Sequence, residues 1–381
     1  MLQNLDLECG SWSEDQKDKD MKIICDIGHP AHVHLFKNAL WELERRGHEY
    51  LVTTRDKDVA LQLLRAYDMP YISFGRHYNT MSRKIYGMFK FESMLFAVAK
   101  RLRPDVFISH GSIYAAHVST LLRKPHISME DTENSYDQIR LYKPFTKAIL
   151  TSNCFYKYLG ERQIRYDGYH ELAYLHPHYY KPKRSILDIL GVKREDKYVI
   201  IRFVSWGATH DITHKGIALE NKIKAAREFS KFAKVFISSE GDLPDELKEY
   251  QIKIPPERMH DALYFATLLY GESATMASEC AVFGTPAIFL DDVGRGYTDE
   301  EEKKYGLVYN FTESLSDQEK SIEKGLALLR QPDLKRIWTE KQKRLLHDKI
   351  DVTAFLVWFL ENYPESSKIM RENPNYQLRF K

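Results

Sequence analysis

Residues 271–284 read GESATMASECAVFG and lie between two short apolar runs, TLLY before them and TPAIFL after them. The small residues that open this stretch predict a tight turn from a strand into a helix, with Ser273 as the N-cap. Such a turn lets a ligand approach the backbone, and the free N–H groups of the first helical turn attract phosphate oxygens. Glu279, about one turn into the helix, can accept hydrogen bonds from the hydroxyls of a ribose. An ordinary capped helix with a solvated Glu279 is the alternative that the residues leave open.

The rest of the chain alternates short β-rich runs with longer helical stretches, and the end, from Ser316 to about Tyr363, reads as helical throughout. The predicted strands are KIICDI, EYLVTT, DVFISH, PHISM and KAILTS in the first half and YVIIRFV, AKVFISS, YQIKI, LLYG, PAIFL and GLVYNF in the second. Near-continuous apolar strands separated by helices are typical of a parallel sheet covered on both faces. The pattern therefore predicts an α/β fold with two Rossmann-like, doubly wound domains. Ligands of such sheets bind at the carboxyl ends of the strands, so the two domains should face a shared cleft.

Charge, cysteine content and one basic segment bear on which class of protein this is. The 381 residues carry a formal net charge of only +2, which argues against a dedicated nucleic-acid binder. The four cysteines are scattered and read as reduced thiols, which favours a cytoplasmic protein. Residues 80–103 mix aromatic with basic side chains, so peripheral contact with an anionic membrane is an option. A helix packed on the sheet with a basic outer face is the favoured alternative for that segment.

The loop after the first predicted strand reads GHPAHVH and contains three histidines in six residues, His29, His32 and His34. Gly28 shapes the turn that starts this loop. Imidazole titrates near neutrality, so His32 and His34 are candidates for general-base work. No carboxylate stands at ligand spacing, so no metal is expected here. A histidine on the surface at the start of a helix is the alternative for each.

The segment GESATMASECAVFGTPAIFL resembles the C-terminal-domain signature of enzymes with the glycosyltransferase-B (GT-B) fold. These enzymes include the non-hydrolysing UDP-N-acetylglucosamine 2-epimerases and the N-acetylglucosaminyltransferase that completes lipid II. In both, a small-residue turn receives the diphosphate and a following Glu holds the ribose. The resemblance thus implies substrate-binding roles for Gly271, Ser273, Ala274, Thr275 and Glu279.

Residues 21 to about 345 more closely resemble an uncharacterised prokaryotic family predicted to share this fold. The segments that carry the resemblance are DIGHPAHVHLFK, YDGYHELAYLHP, RFVSWGATHD and SATMASECAVFGTPAI. The residue pattern and the GT-B resemblance together predict a set of domain limits. These are a disordered extension (1–20), an acceptor-side Rossmann-like domain (21–168), a connector (169–184), a Rossmann-like domain that binds the nucleotide sugar (185–345), and a helix crossing back to the first domain with a tail (346–381).

Alignment with the epimerase motifs, residue by residue, implies further site residues. The Gly28-His29 turn resembles their Gly-Thr-Arg-Pro turn with a histidine in place of the arginine. Glu130 falls on the Glu of their His-Val-Glu-Ala-Gly segment, although a solvated acidic turn is the alternative. His210 stands where they carry Thr-x-His-Arg, and Ser205 opens that turn.

One epimerase carboxylate has no counterpart, because Gly111 is followed by Ser112, and Asp211 replaces an arginine. Epimerisation at C2 needs proton removal with elimination of the nucleotide, followed by its re-addition, which takes several carboxylates. Glycosyl transfer needs one base and an N–H-rich pocket for the leaving diphosphate. The sequence therefore predicts a glycosyltransferase that uses a nucleotide-sugar donor, expected to be a UDP-sugar, and a glycan or lipid-linked acceptor. An epimerase-like enzyme is the alternative, and no cofactor, metal or nucleic-acid partner is expected.

Overall fold

The computed structural model describes the chain over residues 20–56, 58–76, 81–204 and 216–381, and the side chains of 58 and 81–85 are excluded from that description. Its first sheet is parallel, with strand order β3-β2-β1-β4-β5-β6-β7. The strands are β1 (Lys22–Ile27), β2 (Glu49–Asp56), β3 (Tyr71–Arg76), β4 (Val106–His110), β5 (His126–Glu130), β6 (Ala148–Ser152) and β7 (Gln163–Tyr166).

The second sheet is also parallel, with strand order β12-β11-β10-β8-β9. Its strands are β8 (Tyr198–Phe203), β9 (Lys234–Ser239), β10 (Leu268–Gly271), β11 (Ala287–Leu290) and β12 (Val308–Phe311). Strand order reverses between β1 and β4 in the first sheet and between β8 and β10 in the second, which are the two doubly wound patterns. This confirms the predicted α/β fold with two Rossmann-like domains. In folds of this kind, ligands bind at the reversal of strand order.

Helices flank both sheets. They are α1 (Pro30–Arg45), α2 (Asp58–Ala66), α3 (Met81–Leu102), α4 (Ile113–Leu121), α5 (Tyr136–Tyr142), α6 (Leu172–Leu175), α7 (Ile186–Leu190), α8 (Leu219–Ser230), α9 (Met259–Phe265), α10 (Ala274–Phe283), α11 (Gly296–Lys303), α12 (Leu315–Arg330), α13 (Leu334–Asp348), α14 (Val352–Glu361) and α15 (Glu365–Glu372). In the stretches that the structure covers, no helix combines the length and apolarity that crossing a bilayer requires.

Two sequence predictions about local structure were wrong. The run YQIKI is not a strand, because a 3-10 helix fills Asp245–Tyr250 and only Gln251 forms a bridge, to Ile237. Two consecutive prolines, which cannot donate to a sheet ladder, follow this run. The helical C-terminal stretch is interrupted twice, and after the second break Asp351 starts α14 by accepting a hydrogen bond from the backbone of Ala354 at 2.9 Å.

Helix α14 packs against α1 and α6 of the first half of the chain. The hydroxyl of Thr353 and the side-chain amide of Asn38 both donate to the carbonyl of Ala173, at 2.6 Å and 2.9 Å. Phe355 and Phe359 on α14 are fully buried. The apolar core also runs without a break between the two sheets. The domain limits drawn from the sequence therefore stay a prediction, because no gap in packing marks them.

Candidate functional site

The predicted histidine loop meets the end of β4 at the first strand-order reversal. His29 caps α1, because its ring accepts a hydrogen bond from the backbone of Ala31 at 3.2 Å. The backbone N–H of Gly28 donates to Nδ1 of His32 at 3.3 Å. A ring that accepts at Nδ1 and is neutral carries its hydrogen on Nε2. The His32 ring also stacks on that of His110, with centroids 4.4 Å apart.

Asp131, directly after β5, joins two imidazoles. Its Oδ1 accepts from Nε2 of His110 at 2.9 Å, and its Oδ2 lies 3.1 Å from Nδ1 of His170. Burial would lower the pKa of His110, but the carboxylate of Asp131 raises it to about 9. Burial would likewise raise the pKa of Asp131, but the two imidazoles hold it well below its ordinary value. The first domain thus presents a charged imidazolium–carboxylate pair at neutral pH.

None of these three residues was among the candidates predicted from the sequence. Each lies in a segment that the sequence analysis considered, but nothing local distinguishes it. His110 ends a strand, Asp131 follows Glu130, and His170 lies in the segment predicted to connect the domains. Only the topology of the first sheet brings them together.

The carboxylate of Glu130 is 1% exposed and is bonded to protein groups at both oxygens. Its Oε1 accepts from the backbone N–H groups of Asp131 and Thr132, at 3.2 Å and 3.0 Å. Its Oε2 accepts from the hydroxyl of Tyr142 at 2.7 Å. These bonds fix the turn that carries Asp131, and they exclude the solvated acidic turn that the sequence left open for Glu130.

A carboxylate does reach the position next to Ser112, but it comes from β1. The Ser112 hydroxyl donates to Asp26 at 2.5 Å, and Arg55 donates to both oxygens of Asp26, at 2.6 Å and 2.7 Å. Asp26 has no exposed surface and Arg55 is 4% exposed. This ion pair is sealed inside the domain, so its carboxylate is not available to a substrate.

The quoted turn lies at the second strand-order reversal. At Gly271 a side chain is excluded, because a Cβ atom would stand 2.0 Å from the carbonyl oxygen of Arg202 on β8. Ser273 caps α10 through its hydroxyl, as the sequence predicts. Ala274 and Thr275 form the first turn of that helix and are partly exposed. A helix N-terminus therefore opens at the carboxyl edge of the second sheet.

The buried carboxylate of Glu272 braces this turn against the neighbouring segment. It accepts from the backbone N–H groups of Val204 at 2.8 Å and of Ile217 at 2.6 Å. The predicted site residues Ser205 and His210 lie between these two anchors, outside the described residues. Their proposed roles stay predictions.

Glu279 is 5% exposed, which excludes a solvated side chain. Its Oε1 accepts from the hydroxyl of Tyr174 and from Nε2 of His260, both at 2.9 Å. The buried His34 ring of the first domain contacts the same group, with its centroid 4.4 Å from that of His260. Burial, together with the nearby charges of His260 and Lys37, lowers the pKa of His34 well below its ordinary value. A polar cluster thus connects α1, α6, α9 and α10 beneath the cleft.

A second contact between the sheets lies at the start of α11. The N–H of Gly296 donates to Oε1 of Glu133 at 3.2 Å, and burial raises the pKa of that carboxyl to about 7. A Cβ atom on Gly296 would stand 2.2 Å from the carbonyl oxygen of Cys154. Beside it, the buried ammonium of Lys349 binds Glu300 at 2.9 Å. The two sheets therefore meet closely at this edge.

Solved structures of low sequence identity share this architecture. The UDP-GlcNAc 2-epimerase of Neisseria meningitidis, bound to UDP-GlcNAc, is 14% identical, with 92% of this chain and 99% of that chain covered and a TM-score of 0.58. The glycosyltransferase VinC, in complex with dTDP, is 13% identical, with 90% and 99% covered and a TM-score of 0.57. At these identities the similarity shows the fold alone.

Sequence comparison identifies relatives without an assigned activity. The uncharacterized protein MJ0665 of Methanocaldococcus jannaschii is 24% identical over 279 residues, which are 71% of this chain and 81% of that protein. Residues 21–293 match the model of a family described as "Protein of unknown function (DUF354)". Because this match covers well over half of the chain, the chain belongs to the DUF354 family.

Proposed function

We propose that this protein is an enzyme of nucleotide-sugar chemistry, and specifically a glycosyltransferase. In this proposal it transfers a sugar from a UDP-sugar to a hydroxyl of a glycan or lipid-linked acceptor. The observation that carries the proposal is the turn at Gly271 with the capped helix α10 and Glu279 behind it, at the strand-order reversal of the second sheet. GT-B neighbours solved with UDP-GlcNAc or dTDP support a nucleotide ligand.

The donor diphosphate would bind the free N–H groups of Ala274 and Thr275 at the start of α10. The two hydrogen bonds from Tyr174 and His260 both fall on Oε1 of Glu279, so Oε2 is the oxygen proposed to receive the ribose hydroxyls. Because Glu279 is only 5% exposed, the ribose reaches it after the cleft has opened.

On the acceptor side, His32 is the proposed base, because His34 is buried in the polar cluster and both oxygens of Glu130 are bonded. The nitrogen without a hydrogen, Nδ1, accepts a long bond of 3.3 Å from the backbone of Gly28. An acceptor hydroxyl can replace that weak bond and give up its proton to Nδ1. The adjacent charged His110 would stabilise negative charge that develops in the cleft.

An epimerase-like activity is the second candidate, favoured by the solved neighbours that carry that name. Transfer is preferred because proton removal at C2 needs free carboxylates. Asp26, beside Ser112, is sealed by Arg55, and Glu130 is bonded on both oxygens. Two carboxylates at the first-domain edge are therefore occupied by the protein itself.

The experiment incubates the purified chain with UDP-, GDP- and dTDP-sugars without an acceptor and follows products by NMR. Formation of a C2 epimer would support the second candidate, whereas tight binding without turnover supports a transferase that lacks its acceptor. An acceptor screen with the bound donor follows. His32→Ala should lower turnover far more than donor binding, because a base acts mainly in the transition state. The control is His347→Ala, since that side chain is 87% exposed. A chain that binds no nucleotide sugar would refute both candidates.

A further inference from the structure

We propose that His110, Asp131 and His170 form a binding site for a divalent transition-metal ion of the Zn²⁺ class. Their donor atoms all lie within 4.8 Å of one another at the carboxyl edge of the first sheet. The proposal goes beyond the glycosyltransferase function and does not depend on it, because a bound ion would supply the positive charge that His110 carries without metal.

The distances fit a single coordination shell. Nε2 of His110 lies 2.9 Å from one oxygen of Asp131, and Nδ1 of His170 lies 3.1 Å from the other. Zinc bonds to nitrogen and oxygen of about 2.0–2.2 Å place neighbouring tetrahedral ligands roughly 3.3 Å apart. Small side-chain rotations would therefore bring the three donors around one ion.

The donor types decide which ion fits. Two imidazoles with one carboxylate suit Zn²⁺ and its first-row neighbours, whereas Mg²⁺ and Ca²⁺ prefer oxygen ligands throughout. Without metal, the ring nitrogens that face the carboxylate carry hydrogens, since two acceptors would repel. Binding displaces the hydrogen from each of these nitrogens, and each metal-bound ring then carries one hydrogen, on its outer nitrogen. A ring that was neutral before binding therefore changes tautomer, and a ring that was charged releases one proton to solvent, as two metal–nitrogen bonds and one metal–oxygen bond form.

The surroundings hold the donors in place. His170 is 6% exposed, and its outer nitrogen, Nε2, has no hydrogen-bond partner in the described part of the chain. The contact between its Nδ1 and Asp131 therefore orients the buried His170 ring. The hydroxyl of Thr132 donates to Asp131 at 2.9 Å, the kind of support that orients metal-binding carboxylates.

The site also has a path to solvent. The side chains of His110 and Asp131 are 12% and 19% exposed, so an ion can reach them from the cleft. With three protein ligands, a fourth position stays open for water or a bound ligand. A charged His–Asp–His hydrogen-bond network without metal is the competing explanation, and the experiment separates the two.

The chain contains a second group of three possible ligands, which the experiment must remove. His176, His178 and Asp351 also have donor atoms within 4.8 Å, but the side chain of His178 is 66% exposed. Asp351 caps α14 and is therefore left unchanged. The double variant His176→Ala/His178→Ala is the parent protein for every measurement.

The full-length parent is stripped with a chelator and titrated with ZnCl₂ and, separately, with MgCl₂ by calorimetry. We expect one Zn²⁺ per chain with a Kd in roughly the micromolar range or tighter, and no Mg²⁺ binding. Adding His170→Gln or Asp131→Asn to the parent should weaken Zn²⁺ binding by about 100-fold or more. Circular dichroism of the metal-free variants checks that they are folded.

A second measurement needs no further variant. Co²⁺ bound to the parent should give the visible absorption of a four- or five-coordinate nitrogen–oxygen site. Loss of Zn²⁺ binding in folded ligand variants together with that spectrum would support the proposal. A parent that binds no Zn²⁺, a Co²⁺ spectrum of the hexaaqua ion, or affinity unchanged in Asp131→Asn would overturn it in favour of the metal-free network.

Discussion

Replacing Glu279 by alanine tests whether the polar cluster beneath the cleft stabilises the protein. The sequence alone predicts a loss of ligand affinity of roughly 1–3 kcal/mol with the fold intact. In the structure the change also leaves the Tyr174 hydroxyl and Nε2 of His260 without the oxygen that each meets at 2.9 Å. Each buried polar group left unpaired costs about 1–3 kcal/mol, and because both share one acceptor we expect about 2–4 kcal/mol in total.

Urea unfolding followed by circular dichroism measures this loss. Glu279→Gln keeps an acceptor oxygen and the side-chain volume, so it should lose less than about 1.5 kcal/mol and is the variant for UDP calorimetry. Glu319→Ala is the control. That side chain is 61% exposed, and its ion pair with Lys224, at 3.6 Å, lies on the surface and contributes little to stability. An alanine variant as stable as this control would refute the reasoning about the cluster. A Gln variant with unchanged UDP affinity would remove Glu279 from the ribose site.

Three further predictions concern other contacts. Gly296→Ala places a carbon 2.2 Å from a backbone oxygen of the first domain, so it should lower the free energy of unfolding by about 1–3 kcal/mol. Gly241→Ala, which meets nothing within 4 Å, is the control and should stay close to wild type. Arg55→Ala leaves Asp26 buried without its partner and should cost about 3–5 kcal/mol in the same assay; a loss below about 1 kcal/mol would contradict it. The buried His34 stays neutral in the fold because its pKa lies well below the ordinary 6.5, whereas the unfolded chain takes up the proton. Stability should therefore fall from about pH 7.5 to about pH 5.5, and His34→Gln should flatten that slope; equal slopes would contradict the assignment.

Much of the fold could be predicted because its central strands are apolar runs. KIICDI and AILTS are buried almost throughout, as strands covered on both faces must be. The strands that the sequence missed, β3 and β7, lie at the two edges of the first sheet, where the residues YISFGR and QIRY are partly exposed. Edge strands lack the continuous apolar signal, so periodicity alone does not distinguish them from loops.

The parts of the candidate site that could be predicted are those formed by residues close together in the sequence. The turn at Gly271 and the cap at Ser273 follow from local residue types, and both occur. The partners of Glu279 could not be predicted, because Tyr174 is 105 residues away and His260 is 19 residues away on a separate helix. Contacts of this kind depend on how the two sheets meet, which local patterns do not encode.

The packing of α14 on α1 and α6 has a consequence for synthesis of the protein on the ribosome. All seven strands of the first sheet are made by Tyr166, but the helix that covers α1 starts only at Val352. At roughly 5–20 residues per second, the interval between these two points lasts about 10–40 s. During that time the apolar surface that Phe355 and Phe359 later cover stays open to solvent. We therefore expect the nascent first domain to need protection from aggregation until the second domain has almost completely emerged.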